Sequence, residues 1–258
     1  MVLERITSVK DAVKHPWKMF IVGGFISTIC LAISFLIFPS YKGLFFTFLT
    51  TICMMPFMVE LIRREEEQTE AQIARKMKMS IFRRHFDIVL VYISFFFGMI
   101  TCLTIIFVML PPNVTEELFK EQIEELKLIK GEFFGSNLKA ILINNIGILL
   151  ISFFLSLLFA AGAIFIFSWN ASIVATTIGL MVRNIGVAKL PLIVLRFLPH
   201  GFLEFLAYFV GGIAGGLIST AITKKSKWQK IIIKDSLIYL AIGFLILCVA
   251  AFIEVLQL

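Results

Sequence analysis

The sequence predicts an all-α, polytopic membrane protein with about seven transmembrane helices. Three observations carry that prediction. Hydrophobic residues make up 59% of the 258 and charged residues only 16%, against about 45–50% and about 25% in soluble domains. The mean hydropathy is +0.97. The apolar residues fall in unbroken runs, not in the two-residue alternation of a membrane β-barrel. These facts exclude a water-soluble fold, a disordered chain and a disulfide-stapled secreted module.

Seven apolar segments follow in order. The first covers residues 18–38, with Trp17 placed for the interface, and is read as a retained helix. The second covers 43–62 after a short turn at 39–42, and the third covers 86–110. The fourth, 138–168, would reach about 46 Å as one helix, more than the hydrocarbon core of about 30 Å, so it should tilt or project. The fifth, 171–185, is too short to cross comfortably. It is expected to cross in broken form, continued through 187–198, with a re-entrant segment as the alternative. The sixth covers 200–222 and the seventh 236–256. These segments group into an N-terminal unit at 1–110, an excursion at 111–136, a core at 137–222 and a C-terminal unit at 223–258.

Two polar excursions interrupt the pattern. Residues 63–85 are rich in helix formers, and Ile73, Met77 and Ile81 recur at spacing four. This stretch reads as a cytoplasmic extension of segments two and three, or as a docking helix for a partner. Residues 111–136 open with Pro111-Pro112 and carry six Glu against three Lys. Thr115 reads as an N-cap. Phe119, Ile123, Leu126 and Phe133 form the apolar side. The acidic balance argues against an anionic-lipid anchor and for an outer-face helix covering segments three and four.

Charge sets the expected orientation. The net charge is +7, and 16 of the 24 Lys and Arg lie in 1–18, 63–85 and 223–234. Basic residues flank the apolar runs, so topology explains them and no nucleic-acid partner is expected. The N-terminus is placed in the cytoplasm and the C-terminus outside, in a multi-pass protein of the cell membrane. Cys30, Cys53, Cys102 and Cys248 sit in apolar runs without a CxxC pair and read as core residues.

One constellation stands out as a candidate polar centre. Pro199, His200, Gly201 and Glu204 open segment six, and an ionisable group at membrane depth needs a partner. His200 and Glu204 are four residues apart and share a helix face. Pro199 suits a first helical turn and Gly201 permits close approach. Glu204 is either a functional carboxyl or a structural clamp. Arg183 and Arg196 are the candidate charge partners, with Asn144, Asn145 and Asn170 as amide partners. The Asn pair also reads as helix–helix glue. Glu60 and Glu254 lie near helix ends and are expected to snorkel. His15 and His85 fall on the predicted cytoplasmic side, away from His200. Two ligand-type side chains do not make a catalytic zinc site, so no metal and no cofactor is expected. Neither a GxSxG nor a Walker motif is present, and the chain is read as non-enzymatic. Ala207, Gly211, Gly215 and Ser219, with Gly212 and Gly216 beside them, form small-residue rows on segment six. A similar row is Ser152, Ser156 and Ala160. Such rows predict close helix packing, within one chain or across a homodimer.

The order Asn144-Asn145, Trp169-Asn170, Gly179, LPHGFLE at 198–204, Ala207 and GGIAGG at 211–216 resembles the stage II sporulation protein M family. Its PHG-x-x-E-x-x-A signature reads PHGFLEFLA here. The resemblance is best over about residues 133–222, with FFGSN as the lead-in. The chain departs from it at Trp169-Asn170-Ala171, where the family commonly has Asn followed by Gly. Leu206 stands where the family often has Pro. The resemblance implies an integral membrane protein of the cell envelope. Family members in sporulating bacteria act with two peptidoglycan-degrading enzymes during engulfment, as a membrane anchor or scaffold. The expected function is therefore a scaffold for envelope proteins in contact with membrane lipids. The alternative is a transporter or lipid-moving permease using His200 and Glu204.

Overall fold

The computed structural model describes residues 8–76, 81–132 and 138–257. Met77, Phe133 and the FFGSN lead-in at 133–137 lie outside the described residues, as do Arg5 and Lys78. Helices α1 (Val9–Lys14), α2 (Trp17–Ile37), α3 (Lys42–Ala74), α4 (Ile81–Arg84) and α5 (Phe86–Met109) come first. They are followed by α6 (Pro112–Leu118), α7 (Lys120–Glu132), α8 (Leu138–Phe159), α9 (Ala163–Ile185), α10 (Leu190–Thr223) and α11 (Gln229–Gln257). There is no strand among the described residues. Helices α2, α3, α5, α8, α9, α10 and α11 are long and apolar enough to cross a membrane. The chain is a multi-pass helical membrane protein.

The segment boundaries differ from expectation in the second half. Segment four is not one 31-residue helix. It breaks at Ala160, which takes a left-handed φ of 59°, and Ser156 Oγ accepts the Ala163 amide at 3.0 Å. The fifth crossing therefore begins at Ala163 and runs 23 residues without a break. At 1.5 Å per residue it spans about 35 Å, enough for the hydrocarbon core. The broken fifth segment is thus corrected. Segment six also starts earlier, at Leu190, with Pro191 in its first turn and Pro199 inside the helix. Pro199 does not start a helix. It has no N–H to give the Leu195 carbonyl four residues back.

Helix α10 is the hub. It packs on α11, α8, α3, α9 and α5. Its most apolar stretch is 78% buried, against 33–56% for the other six spanning helices. Glycine makes that possible. A Cβ at Gly211 would meet Leu149, and one at Gly215 would lie 2.2 Å from the Phe153 carbonyl oxygen, both on α8. A Cβ at Gly212 would meet Ala163 and Phe167 of α9, and one at Gly216 the Ala160 carbonyl in the α8–α9 turn. Ala207 is fully buried. Both small-residue rows therefore serve contacts within one chain, and this face is closed to a second copy. Phe25, Ile52, Phe154 and Leu245 are exposed on the outside of the bundle, where lipid tails replace water.

Polar contacts define the two ends of the bundle. At one end Glu65 bonds His85 at 2.6 Å and Arg84 pairs with Asp235 at 2.7 Å. Lys224 reaches Glu67 at 2.8 Å and Glu66 at 3.3 Å. Partial burial works against the Lys224 ammonium, but these two carboxylates outweigh it and hold the group above its ordinary value. Residues 63–74 are accordingly an unbroken continuation of α3, braced by the α10–α11 loop through Lys224 and Ser226. The described residues of the basic stretches 63–85 and 223–234 share this end.

The opposite end is capped by α6 and α7. The Lys42 ammonium bonds Glu117. Glu121 Oε2 accepts the Gly43 amide at 2.9 Å, and buried Gln122 donates to Ser172 Oγ at 3.0 Å. The cap therefore sits chiefly on α3 and α9. Among the described residues the expected cover over segments three and four is thus displaced, with Phe119 against Phe107 of α5 at 5.2 Å. Thr115 is no N-cap: it lies inside α6, donates to the Pro112 carbonyl and accepts from Arg183.

Candidate functional site

A cavity of about 440 Å³ opens among α5, α8, α9, α10 and α11. Four of these helices bring polar groups to it, and each is an interruption of an otherwise apolar run. Helix α8 brings Asn144 and Asn145, its seventh and eighth residues, while α9 brings Asn170 and Thr177. Helix α10 brings His200, Gly201, Glu204 and Tyr208, and α11 brings Glu254. The remaining lining is aliphatic and aromatic, with Phe97, Phe197, Phe202 and Phe205 among it.

Asn145 organises the centre. It is 5% exposed. Its Nδ2 donates to Glu204 Oε1 at 2.5 Å, and its Oδ1 accepts from the Tyr208 hydroxyl at 2.9 Å and from Asn144 Nδ2 at 3.1 Å. Glu204 and Tyr208 are one helical turn apart, so both ends of a single amide are gripped by one face of α10. The Glu254 carboxyl borders the same cavity as Glu204. The Asn170 amide, also in the lining, donates back to the Ile166 carbonyl at 2.8 Å.

A family model described as Stage II sporulation protein M matches residues 88–256. The chain belongs to this family. No curated protein and no solved structure matches it. The match to the stage II sporulation protein M family starts in α5 and ends in α11, wider than the 133–222 resemblance. It takes in every residue that lines the cavity, Glu254 included.

The structure brings together most of the residues singled out by sequence, but not with the partners expected. Glu204 bonds Asn145, not an arginine. Arg183 lies far along α9, at the capped end. It donates to Thr115 Oγ1 at 2.7 Å, to the Phe107 carbonyl at 2.5 Å and to the Leu110 carbonyl, and stacks over the Phe107 ring. It closes the C-terminal end of α5, where carbonyls lack intrahelical donors. Arg196 is exposed on α10 and outside the cavity lining. Pro199 is likewise exposed and outside it. His200 and Gly201 border the cavity in the body of a helix, not at its start. Glu254 does not snorkel to water but turns to the cavity. Tyr208 was passed over, although its spacing of four from Glu204 was the available signal. The four cysteines are unpaired. Among the described residues there is no group of three or more His, Cys, Asp or Glu placed to hold a metal ion.

Proposed function

We propose that this protein is a non-enzymatic scaffold of the cell envelope, with its basic end in the cytoplasm and the α6–α7 cap outside. The cap is the observation that carries the reading. It is tied to the bundle through Lys42, Gly43, Ser172 and Arg183, while Glu116, Glu117, Lys120 and Glu124 stay exposed. A charged helical surface held rigidly on a membrane bundle is suited to dock a partner in a fixed orientation. Stage II sporulation protein M membership agrees with this role. Capture after crosslinking in native membranes tests it: Glu116→Lys with Glu124→Lys removes a captured envelope protein if the cap is the platform. Unchanged capture at wild-type protein levels rejects the cap.

A second reading rests on the cavity itself. An open space that reaches a membrane-depth carboxyl pair suits a protein that binds and moves a solute or lipid. Loss of a transported solute or lipid species in Glu204→Gln, with the partner capture intact, would favour it over the scaffold.

A further inference from the structure

Helix α11 carries one exposed stripe whose chemistry changes along its length. Lys230 and Lys234 begin it, and Leu237, Ile238, Leu245 and Phe252 continue it at helical spacings of three, four and seven. Every exposed residue from Leu237 to Leu256 is apolar. At 1.5 Å per residue that stretch is about 30 Å long, matching a hydrocarbon core of about 30 Å. Lys234 and Lys230 therefore stand one and two turns beyond the lipid-facing stripe, at the height of the head groups. Trp228, an interface residue by type, is half-exposed beside them, and Lys225 and Lys227 are exposed in the preceding loop. The neighbouring carboxylates are committed elsewhere: Asp235 to Arg84, Glu66 and Glu67 to Lys224, and Glu70 to Ser226. Among the described residues, Lys225, Lys227, Lys230 and Lys234 make no ion pair or hydrogen bond through their side chains. Topology accounts for the side on which these lysines lie. It does not account for their register with the lipid-facing stripe, or for their lack of partners beside Lys224, which has two.

We infer that the start of α11 is a binding surface for anionic phospholipid, with the four lysines holding head-group phosphates of the leaflet at this end. A cluster of this size directly before a spanning helix is what an anionic lipid surface attracts. Each lysine there strengthens binding about fivefold. An ammonium is a point charge with three donors, so it meets phosphate oxygens from many directions and suits a mobile head group. The acyl chains lie along Leu237, Ile238 and Leu245, in continuous contact with the same face. An acidic protein segment would satisfy the lysines but not the apolar stripe that continues them, whereas a lipid meets both. A zwitterionic lipid brings its own ammonium against the lysines and is disfavoured. The surface lies at the end of the bundle opposite the cap, so it does not depend on the scaffold reading.

Lys230→Gln with Lys234→Gln is the test variant. Both side chains are exposed, and Gln is a good helix former, so the fold should hold. Lys10→Gln with Lys14→Gln removes the same charge from exposed positions of α1 and is the control. Lys230→Arg with Lys234→Arg keeps the charge. Wild-type protein and the three variants are delipidated in neutral detergent and offered phosphatidylglycerol or phosphatidylcholine at equal concentration. Retained lipid is read by native mass spectrometry, with melting temperatures recorded alongside. The expected result is at least fivefold greater retention of phosphatidylglycerol than of phosphatidylcholine by wild type, the α1 control and the Arg variant. The Gln variant at 230 and 234 loses at least fivefold of its phosphatidylglycerol and keeps the melting temperature of lipid-free wild type. Equal retention of the two lipids by wild type overturns the head-group chemistry. Undiminished retention by that Gln variant, or an equal loss in the α1 control, overturns the location. Loss of the preference in the Arg variant overturns the role of charge and does not depend on how the Gln variant folds. Full displacement by glycerol phosphate at equal concentration assigns the phosphate to water and overturns the lipid. The readout is lipid mass, separate from partner capture, so this inference and the scaffold can fail independently.

Discussion

Replacing Gly215 by Ala is the most discriminating test of the packing at the hub. The added Cβ would sit 2.2 Å from the Phe153 carbonyl oxygen, whereas ordinary contact begins at 3.4 Å. Helices α8 and α10 must part by about 1.2 Å to accept it. The obstacle is backbone, so no rotamer change relieves it. Overpacking of this kind costs about 1–3 kcal/mol, and the rigid neighbour puts the change at the upper end. Gly201 lies on the same helix, and its Cβ would meet nothing closer than 3.9 Å. There Ala should stabilise by about 0.5–1 kcal/mol, the helix-interior advantage of Ala over Gly. The two substitutions are chemically identical and carry opposite predicted signs. Thermal melting in detergent, or reversible unfolding in mixed micelles, reads both. A Gly215→Ala variant as stable as wild type, or a Gly201→Ala variant as damaged as Gly215→Ala, would refute the packing argument.

Glu204→Leu leaves the Asn145 amide without its acceptor and should cost about 1–2 kcal/mol. Glu204→Gln keeps an acceptor and should melt close to wild type, so equal melting temperatures for both variants would deny the bond a structural role. Arg183→Leu frees the Phe107 and Leu110 carbonyls and should destabilise by about 1.5–3 kcal/mol, measured as loss of folded protein in detergent titration. Lys should rescue it only partly, because it lacks the planar fork that reaches several oxygens at once. Cysteines at Lys76 and Lys227 should label from the same face as Lys14, and one at Glu124 from the opposite face. Labelling of 227 together with 124 would show that α9 does not cross.

Much of this architecture was legible because lipid imposes a simple rule. Runs of apolar residues must become helices, and charged stretches must lie at the ends. The break at Ala160 escaped because it carries no Pro and its main cue, Gly162, is a residue that membrane helices tolerate. The 31-residue length of segment four was the real clue, and it pointed to two helices rather than one tilted helix. The polar centre was legible as a set of costly residues at membrane depth. Its pairing was not, because a carboxyl can be satisfied by an amide as well as by a guanidinium. Sequence spacing along one helix does not say which neighbour faces it. Arg183 shows the converse, a charge that closes a helix end instead of meeting the nearest acid in the list of candidates. Glu254 was misread because nearness to a helix terminus in sequence does not fix where a side chain turns. The glycine rows told of close packing but left its partner open, and the α8 and α9 backbones occupy that face.

The scaffold account stands or falls on where partners touch the protein. A photo-crosslinking residue placed in turn at Glu124 on the cap and at Glu67 on the inner extension, in living cells, reads this directly. Both positions are exposed, with side chains 58% and 64% accessible. The account predicts a discrete protein adduct at 124, lost on charge reversal of Glu116, and no comparable adduct at 67. Adducts at 67 with none at 124 would contradict it, and would move the docking surface to the opposite side of the membrane.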